Sequence, residues 1–256
     1  KFEGTSSEDS YNNDLRADFL MLFVFDNSSQ KCTAVHINRD TMTNVHILGV
    51  NGNKVGTVVK QIALAHTYGN GRNVSCRNTS DAVSELLLGV KINHYISLTM
   101  DSVPTFNDLV GGVEVTVLDD FTGIDDTLIK GETVTLNGQQ ALHYVRSRYG
   151  LEDSSNSTRM KRQRQYLSAL YEKTQQCMES NDDFIVDATL KMSNYIISDR
   201  SVTQLQELAR KFMAYEFVEI STIEGESKLG EQYVEFYPDA DSIEKLVIEL
   251  FYQPKE

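Results

Sequence analysis

Proline, cysteine and tryptophan are scarce: three, three and none in 256 residues. With so little proline there is no proline-rich linker, and no internal repeat or low-complexity tract divides the chain, so one folded domain is the simplest organisation. Cys32, Cys76 and Cys177 lack CxxC spacing and are too few and too far apart for a disulfide scaffold or a cysteine zinc site. Outside the cell two of them could pair, in three ways that the sequence does not rank; inside it they would be buried thiols. The longest apolar run, Phe19 to Phe25, is seven residues, far short of the roughly 20 that cross a bilayer as a helix. Because the first residue is Lys1, an N-terminal signal or membrane anchor removed ahead of it is an expectation.

Positive charge is also in deficit. Lys and Arg number 24 against 37 Asp and Glu, a net charge of −13, which argues against binding nucleic acid or an anionic membrane over the whole surface. Any anion site must be local. The sequence contains no GxSxG elbow, no GxxxxGK[ST], no HExxH and no GxGxxG after a strand, so hydrolase-triad, P-loop, zincin and Rossmann readings lack their signals.

The pattern of apolar residues predicts an α/β fold, a three-layer α-β-α sandwich around a central mixed, largely antiparallel sheet. Residues 1–17 are polar and aperiodic, which predicts a flexible arm, and 18–256 form a single domain with its core over 16–175 and C-terminal helices and strands over 184–256. The run 19–25 is apolar on both faces, as in a central strand. It is followed by turn residues 26–30 and a second strand at 33–37, an antiparallel hairpin. Helical spacing predicts helices near 59–66, 80–88, 104–110, 158–178, 184–198 and 201–214, the last opened by Ser201 with Gln204 three residues later as a capping box. Strands are expected at 92–98, 113–117, 216–221 and 232–236.

Five of the eleven arginines lie between 146 and 164: Arg146, Arg148, Arg159, Arg162 and Arg164. The stretch 154–158 reads as a loop ending in an N-cap, which sets Arg159 and Arg162 in the first turns of a helix. Cations there oppose the helix dipole by a few tenths to about 1 kcal/mol unless an anion is bound. Guanidinium forks beside exposed N–H groups suit phosphate oxygens, so the cluster is a candidate phosphate site. The rival reading is a solvated basic face that balances nearby acids.

The predicted hairpin also brings Arg16-Ala17-Asp18 and Asn38-Arg39-Asp40-Thr41 to one end of the sheet. Mg²⁺ is typically held by one or two carboxylates, with phosphates and water completing its shell, and Asp18 is suited to that role. The plainer alternative is that Asp18 and Asp40 simply pair with Arg39 and Arg16. The five histidines are scattered and read as structural.

RAD at 16–18, NRDT at 38–41, LVGGVEVTV at 109–117, LNGQQALHYVRSR at 136–148 and RMKRQRQ at 159–165 together resemble the LytR-CpsA-Psr family, in order and spacing, over about residues 16–175. The resemblance implies a membrane-anchored, extracytoplasmic phosphotransferase. Such an enzyme moves a glycopolymer, of teichoic acid or capsular polysaccharide type, from an undecaprenyl-pyrophosphate carrier to peptidoglycan. It further implies that Arg16, Arg39, Arg146, Arg148 and Arg159 contact pyrophosphate, with Arg162 beside them and Gln163 supporting the grip. Asp18 would ligate Mg²⁺, and Asp40 would orient Arg39 or help deprotonate the acceptor hydroxyl.

The sequence departs from the family pattern in three places. Asn156 stands where an acid is usual, with Asp153 nearby, and Asn38 replaces a proline. The usual upstream metal aspartate has only Glu3, Glu8, Asp9 and Asp14 to stand for it. Two alternatives use the same residues: hydrolysis of the lipid carrier, and a non-catalytic module that binds wall polymer or regulates its assembly, which would dispense with Asp18.

Overall fold

Both helices and strands are spread along the chain, in line with the α/β reading. The computed structural model describes residues 13, 15–231 and 233–252. The first half holds β1 (Leu20–Asp26), β2 (Lys31–Ile37), β3 (Met42–Leu48), β4 (Lys54–Gln61), α1 (Asn73–Leu86), β5 (Ile96–Leu98), α2 (Ser102–Leu109) and β6 (Val113–Thr116). The second half holds β7 (Thr133–Leu136), α3 (Gly138–Arg146), α4 (Asn156–Ser180), α5 (Phe184–Met192), β8 (Ile196–Ser198), α6 (Val202–Ala214), β9 (Glu216–Thr222), β10 (Gly225–Leu229), β11 (Val234–Pro238) and α7 (Ala240–Phe251).

The contacts gather into two compact units. The first comprises the described residues up to Ser97, Ile197–Asp199 and those from Val218 onward; the second comprises Leu98–Ile196 and Arg200–Phe217. Each unit has its own hydrophobic core.

In the first unit, β1 and β2 form the expected antiparallel hairpin, in register from Leu20 opposite Ile37 to Asp26 opposite Lys31. Asp26 closes the turn by accepting from the backbone N–H and hydroxyl of Ser28 at 2.8 and 2.6 Å. Those donors, the Ser28 hydroxyl first, hold its carboxyl far below the ordinary carboxylate range. The sheet order is β1-β2-β9, so among the described residues β1 stands at an edge rather than in the centre, with Phe23 42% exposed. The helix expected near 59–66 is strand at its start and a 3-10 helix in the rest: β4 pairs with β3 from Lys54 to Gln61, and residues 62–67 turn as a 3-10 helix. The β-branched pair Val58-Val59 suits a ladder better than a helix.

Helix α1 begins seven residues before the expected start and buries Ala82, Val83 and Leu86 against Val35, Ile37, Val45 and Ile62. Helix α7, which the sequence reading missed, buries Ile243 and Val247 in the same core. Such side chains contribute roughly 1.5–3 kcal/mol each on full burial. A parallel bridge from Thr41 to Phe236, beside the antiparallel pairs β1–β2, β3–β4, β6–β7 and β10–β11, makes the pairing mixed. The arm expected through residue 17 is held from Asn13 onward. The Asn13 amide donates to the carbonyls of His66, Thr67 and Gly69 at 3.0, 2.9 and 3.1 Å, and Ala17 N–H donates to Ala63 O at 3.1 Å. Residues 1–12 and 14 lie outside the described residues.

In the second unit, Gly111 and Gly112, at φ +80° and +92°, turn the chain from α2 into β6. Val113 and Val115 pair toward β7 and meet Leu136, Ala141, Tyr144 and Val145 in the core. The capping box of α6 forms as expected, with Ser201 Oγ accepting from Gln204 N and Gln204 Oε1 accepting from Ser201 N. All three cysteines are free thiols, so the pairing that the sequence left open is not made; Cys32 and Cys76 are buried.

Candidate functional site

The residues singled out by sequence fall into two groups, one in each unit. In the first, the register of the β1–β2 hairpin carries Asp18 and Arg39 to the same end of the ladder, and Arg39 Nη1 donates to the Asp18 carboxylate. Arg39 Nε stands 3.9 Å from Asp40 Oδ1. One guanidinium therefore faces two carboxylates, Asp18 half-buried and Asp40 buried.

The turn between β2 and β3 needs no proline. Asn38 Oδ1 accepts from Asp40 N–H at 2.9 Å, and its carbonyl accepts from Thr41 N and Oγ1 at 3.0 and 2.6 Å. An Asx turn thus supplies the bend that a proline would preset. Asp40 also accepts from Gln61 Nε2 at 3.2 Å, and its own carbonyl accepts from Phe236 N–H at 2.8 Å. Arg16, expected to pair with an acid or a phosphate, is exposed, with its guanidinium carbon 5.5 Å from the Tyr233 ring centroid.

The fit to Mg²⁺ rests on a single carboxylate. Among the described residues no three His, Cys, Asp or Glu side chains group as metal ligands. Asp18, with its side chain 39% exposed, could serve an ion whose remaining positions are filled by phosphate oxygens and water. Glu3, Glu8, Asp9 and Asp14 lie outside the described residues.

In the second unit, Asn137 caps α3 with a full capping box, and the helix ends at Arg146, a position where its dipole favours a cation. Arg146 is exposed. Arg148 is half-buried, its Nε donating to Ser154 O at 2.7 Å and its guanidinium 5.8 Å from the Tyr149 ring. Helix α4 starts at Asn156, two residues before the expected position, with Ser155 as N-cap accepting from Thr158 N–H. Arg159 therefore lies at the end of the first turn and is buried, donating to Asn156 Oδ1. Asp153 accepts from Ser155 N–H at 2.8 Å and from the Thr158 hydroxyl. These donors, the Thr158 hydroxyl foremost, hold its carboxyl below the ordinary range. The helix N-terminus thus has a resident anion in Asp153, one turn from where the family pattern puts its acid.

Two predicted ligand contacts have other work. Arg162 is 1% exposed, and each of its guanidinium nitrogens donates within the protein: Nε to Tyr144 O at 2.8 Å, Nη1 to the Asp119 carboxylate and Nη2 to Ser147 O. Gln163 is buried and donates through Nε2 to Val145 O at 3.0 Å. In this structure both side chains hold the end of α3. Sequence reasoning missed Asp119, which lies just past a strand with no motif around it, and Tyr144, whose place in the LNGQQALHYVR segment reads as core. The Tyr144 hydroxyl donates to Gln165 Oε1, with Thr116 O 3.4 Å away, and accepts from Leu118 N–H at 3.3 Å; burial pushes its pKa up to about 12.

Fold and side chains together define an α/β protein that presents arginines at the ends of its strands and helices, chemistry suited to oxyanions. The LytR_cpsA_psr family model matches residues 4–251, and the chain belongs to that family. It is 32% identical over 158 residues to the polyisoprenyl-teichoic acid–peptidoglycan teichoic acid transferase TagU of Bacillus mycoides, covering 62% of this chain and 47% of that one. It is 26% identical over 245 residues to the cell wall biosynthesis protein LcpA of Corynebacterium glutamicum, covering 85% and 45%. The chain thus spans about half the length of the curated relatives it matches. Among solved structures, B. subtilis TagV superposes with a TM-score of 0.71 at 26% identity, covering 98% of this chain and 94% of that one. TagT bound to LI-WTA superposes with a TM-score of 0.71 at 19% identity, covering 98% and 93%, a likeness of fold.

Proposed function

We propose that this protein is an extracytoplasmic phosphotransferase that moves a glycopolymer, of teichoic acid or capsular polysaccharide type, from a polyprenyl-pyrophosphate carrier such as undecaprenyl pyrophosphate to peptidoglycan. The observation that carries the reading is Arg146, exposed at the C-terminal end of α3, with Arg148 two residues on, in a chain of this family. The name of TagU, a transferase of polyisoprenyl-linked teichoic acid, supports the substrate class. A membrane anchor ahead of the chain belongs to the same proposal.

Phosphoryl transfer asks a protein for positioning and charge neutralisation more than for covalent chemistry. Arg146 and Arg148 bind pyrophosphate oxygens in this account. The first unit has cations of its own, the Arg39 guanidinium oriented by Asp18 and Asp40 and the exposed Arg16. Arg159, at the first turn of α4, adds charge beside α3. Mg²⁺, held by Asp18 and phosphate oxygens, would neutralise charge on the leaving phosphate. Asp40 serves Arg39 as an orienting carboxylate, since it is buried beside that guanidinium.

Product analysis tests the proposal. The protein is incubated with a lipid-linked glycan and a peptidoglycan acceptor, with and without Mg²⁺, and compared with Arg146→Ala. Glycan joined to peptidoglycan, lost in the variant, is expected. Free glycan phosphate without transfer would make the protein a hydrolase, and no turnover with wall-polymer binding intact would make it a binding module.

A further inference from the structure

Helix α3 ends with carbonyls that have no partner within the helix, as every helix does. Here they are met from the side by α4. Arg162 Nε donates to Tyr144 O at 2.8 Å and Gln163 Nε2 to Val145 O at 3.0 Å. Arg162 Nη2 donates to Ser147 O, past the helix end, where the backbone has already turned extended at φ −60° and ψ 138°. Arg146 therefore sits between residues whose carbonyls are fixed on both sides, while its own side chain is exposed.

The guanidinium that makes this clamp is itself held. Its Nη1 donates to the Asp119 carboxylate, whose side chain is 13% exposed, and its carbon lies 5.4 Å from the Phe121 ring centroid. The loop that carries Asp119 is tied back to α3, because Leu118 N–H donates to the Tyr144 hydroxyl at 3.3 Å. A planar fork can meet Tyr144 O, Ser147 O and a carboxylate at once; an ammonium on a flexible stem cannot keep that geometry. An ion pair this buried is a poor source of net stability compared with apolar packing, so its fixed geometry is the more informative property.

We propose that Asp119 and Arg162 are positioning residues: Asp119 locks the Arg162 fork, the fork fixes the end of α3, and the end of α3 aims Arg146 at a pyrophosphate. The proposal rests on the reading of Arg146 as a pyrophosphate ligand and assigns Arg162 to the support of that ligand rather than to direct contact.

Calorimetric titration of farnesyl pyrophosphate into wild type, Asp119→Asn, Arg146→Ala and the double variant tests it, with thermal melts alongside. Asp119→Asn should weaken binding about tenfold, the size of an ordinary coupling between contacting groups, and should have no further effect once Arg146 is gone. Arg162→Lys, which keeps the charge and loses the fork, should behave like Asp119→Asn. A role in stability alone would lower the melting temperature and leave the affinity within twofold, and that result overturns the proposal, as does a double variant in which the two losses multiply. Hydrogen exchange separates this inference from the reading beneath it. If wild type binds no pyrophosphate, that reading falls, yet the amides of Ser147 and Arg148 should still exchange faster in Asp119→Asn than in wild type. Unchanged exchange there removes the clamp as well. If Asp119→Asn does not fold, Asp119→Glu is titrated in its place, with the same outcomes.

Discussion

Replacing Arg39 by Met removes one guanidinium and keeps most of its apolar stem, and the surrounding carboxylates set the cost. The Asp18 side chain is 39% exposed, so its pair with Arg39 is screened by solvent and contributes about 0–1 kcal/mol. Asp40 differs, because its side chain is 7% exposed and Arg39 Nε lies 3.9 Å away. Without the guanidinium, that carboxylate keeps the Gln61 amide at 3.2 Å but loses its nearby cation, at a cost of about 1–3 kcal/mol. The expected destabilisation is about 2 kcal/mol, or roughly 4–8 °C in melting temperature for a chain of this size. Urea titration of Arg39→Met, Asp40→Asn and the double variant measures it. Removing the Asp40 charge should offset part of the Arg39→Met loss, so the double variant should be more stable than the sum of the single changes predicts. An Arg39→Met variant within about 0.5 kcal/mol of wild type, or strict additivity, would refute the reasoning.

Tyr144→Phe removes a buried hydroxyl bonded to Gln165, Thr116 and Leu118 and should cost about 1–3 kcal/mol by denaturant titration. Its pKa is raised from the ordinary 10.0 to about 12, so its contribution to stability is complete below the unfolded value and lost as pH rises through the folded one. Ultraviolet titration should show several tyrosines ionising late, because Tyr68, Tyr95, Tyr166 and Tyr237 are held up as well, with one fewer in Tyr144→Phe, and stability should fall across that window less steeply in the variant. Gly112→Ala meets two obstacles: a φ of +92°, and a Cβ that would lie 2.8 Å from Thr135 Cγ2 and 3.0 Å from Leu136 O. A loss of about 1–3 kcal/mol is expected, visible as a lower urea midpoint.

Much of this architecture was legible in sequence, where local chemistry decided it. The Asp26-Asn27-Ser28-Ser29 turn, the Gly111-Gly112 corner and the Ser201/Gln204 capping box each carry their own geometry, and each forms as read. The hairpin then brought Asp18, Arg39 and Asp40 together, as alternation alone predicts. What failed depended on distant partners. Residues 59–61 have apolar spacing that suits a helix, yet their pairing with β3 makes them strand. Helix α3 is nine residues long, too short for its apolar residues to repeat beyond about two turns, so its capping residues mark it most clearly. The arginine cluster looked uniform in sequence, but folding divides it: Arg146 faces outward, whereas Arg162 turns inward to three acceptors that lie up to 43 residues away. No local pattern distinguishes those two arginines, because the difference lies in Asp119 and in the carbonyls at the end of another helix.

The central claim, that these arginines hold a lipid-linked pyrophosphate, is tested most directly by calorimetric binding of a short polyprenyl pyrophosphate, with and without Mg²⁺, to wild type, Arg146→Ala and Asp18→Ala. The account predicts binding by wild type that Mg²⁺ strengthens, a loss of affinity in Arg146→Ala under both conditions, and a loss in Asp18→Ala that is larger with Mg²⁺ than without it. Equal binding by wild type and Arg146→Ala, or no binding by wild type under either condition, would contradict it.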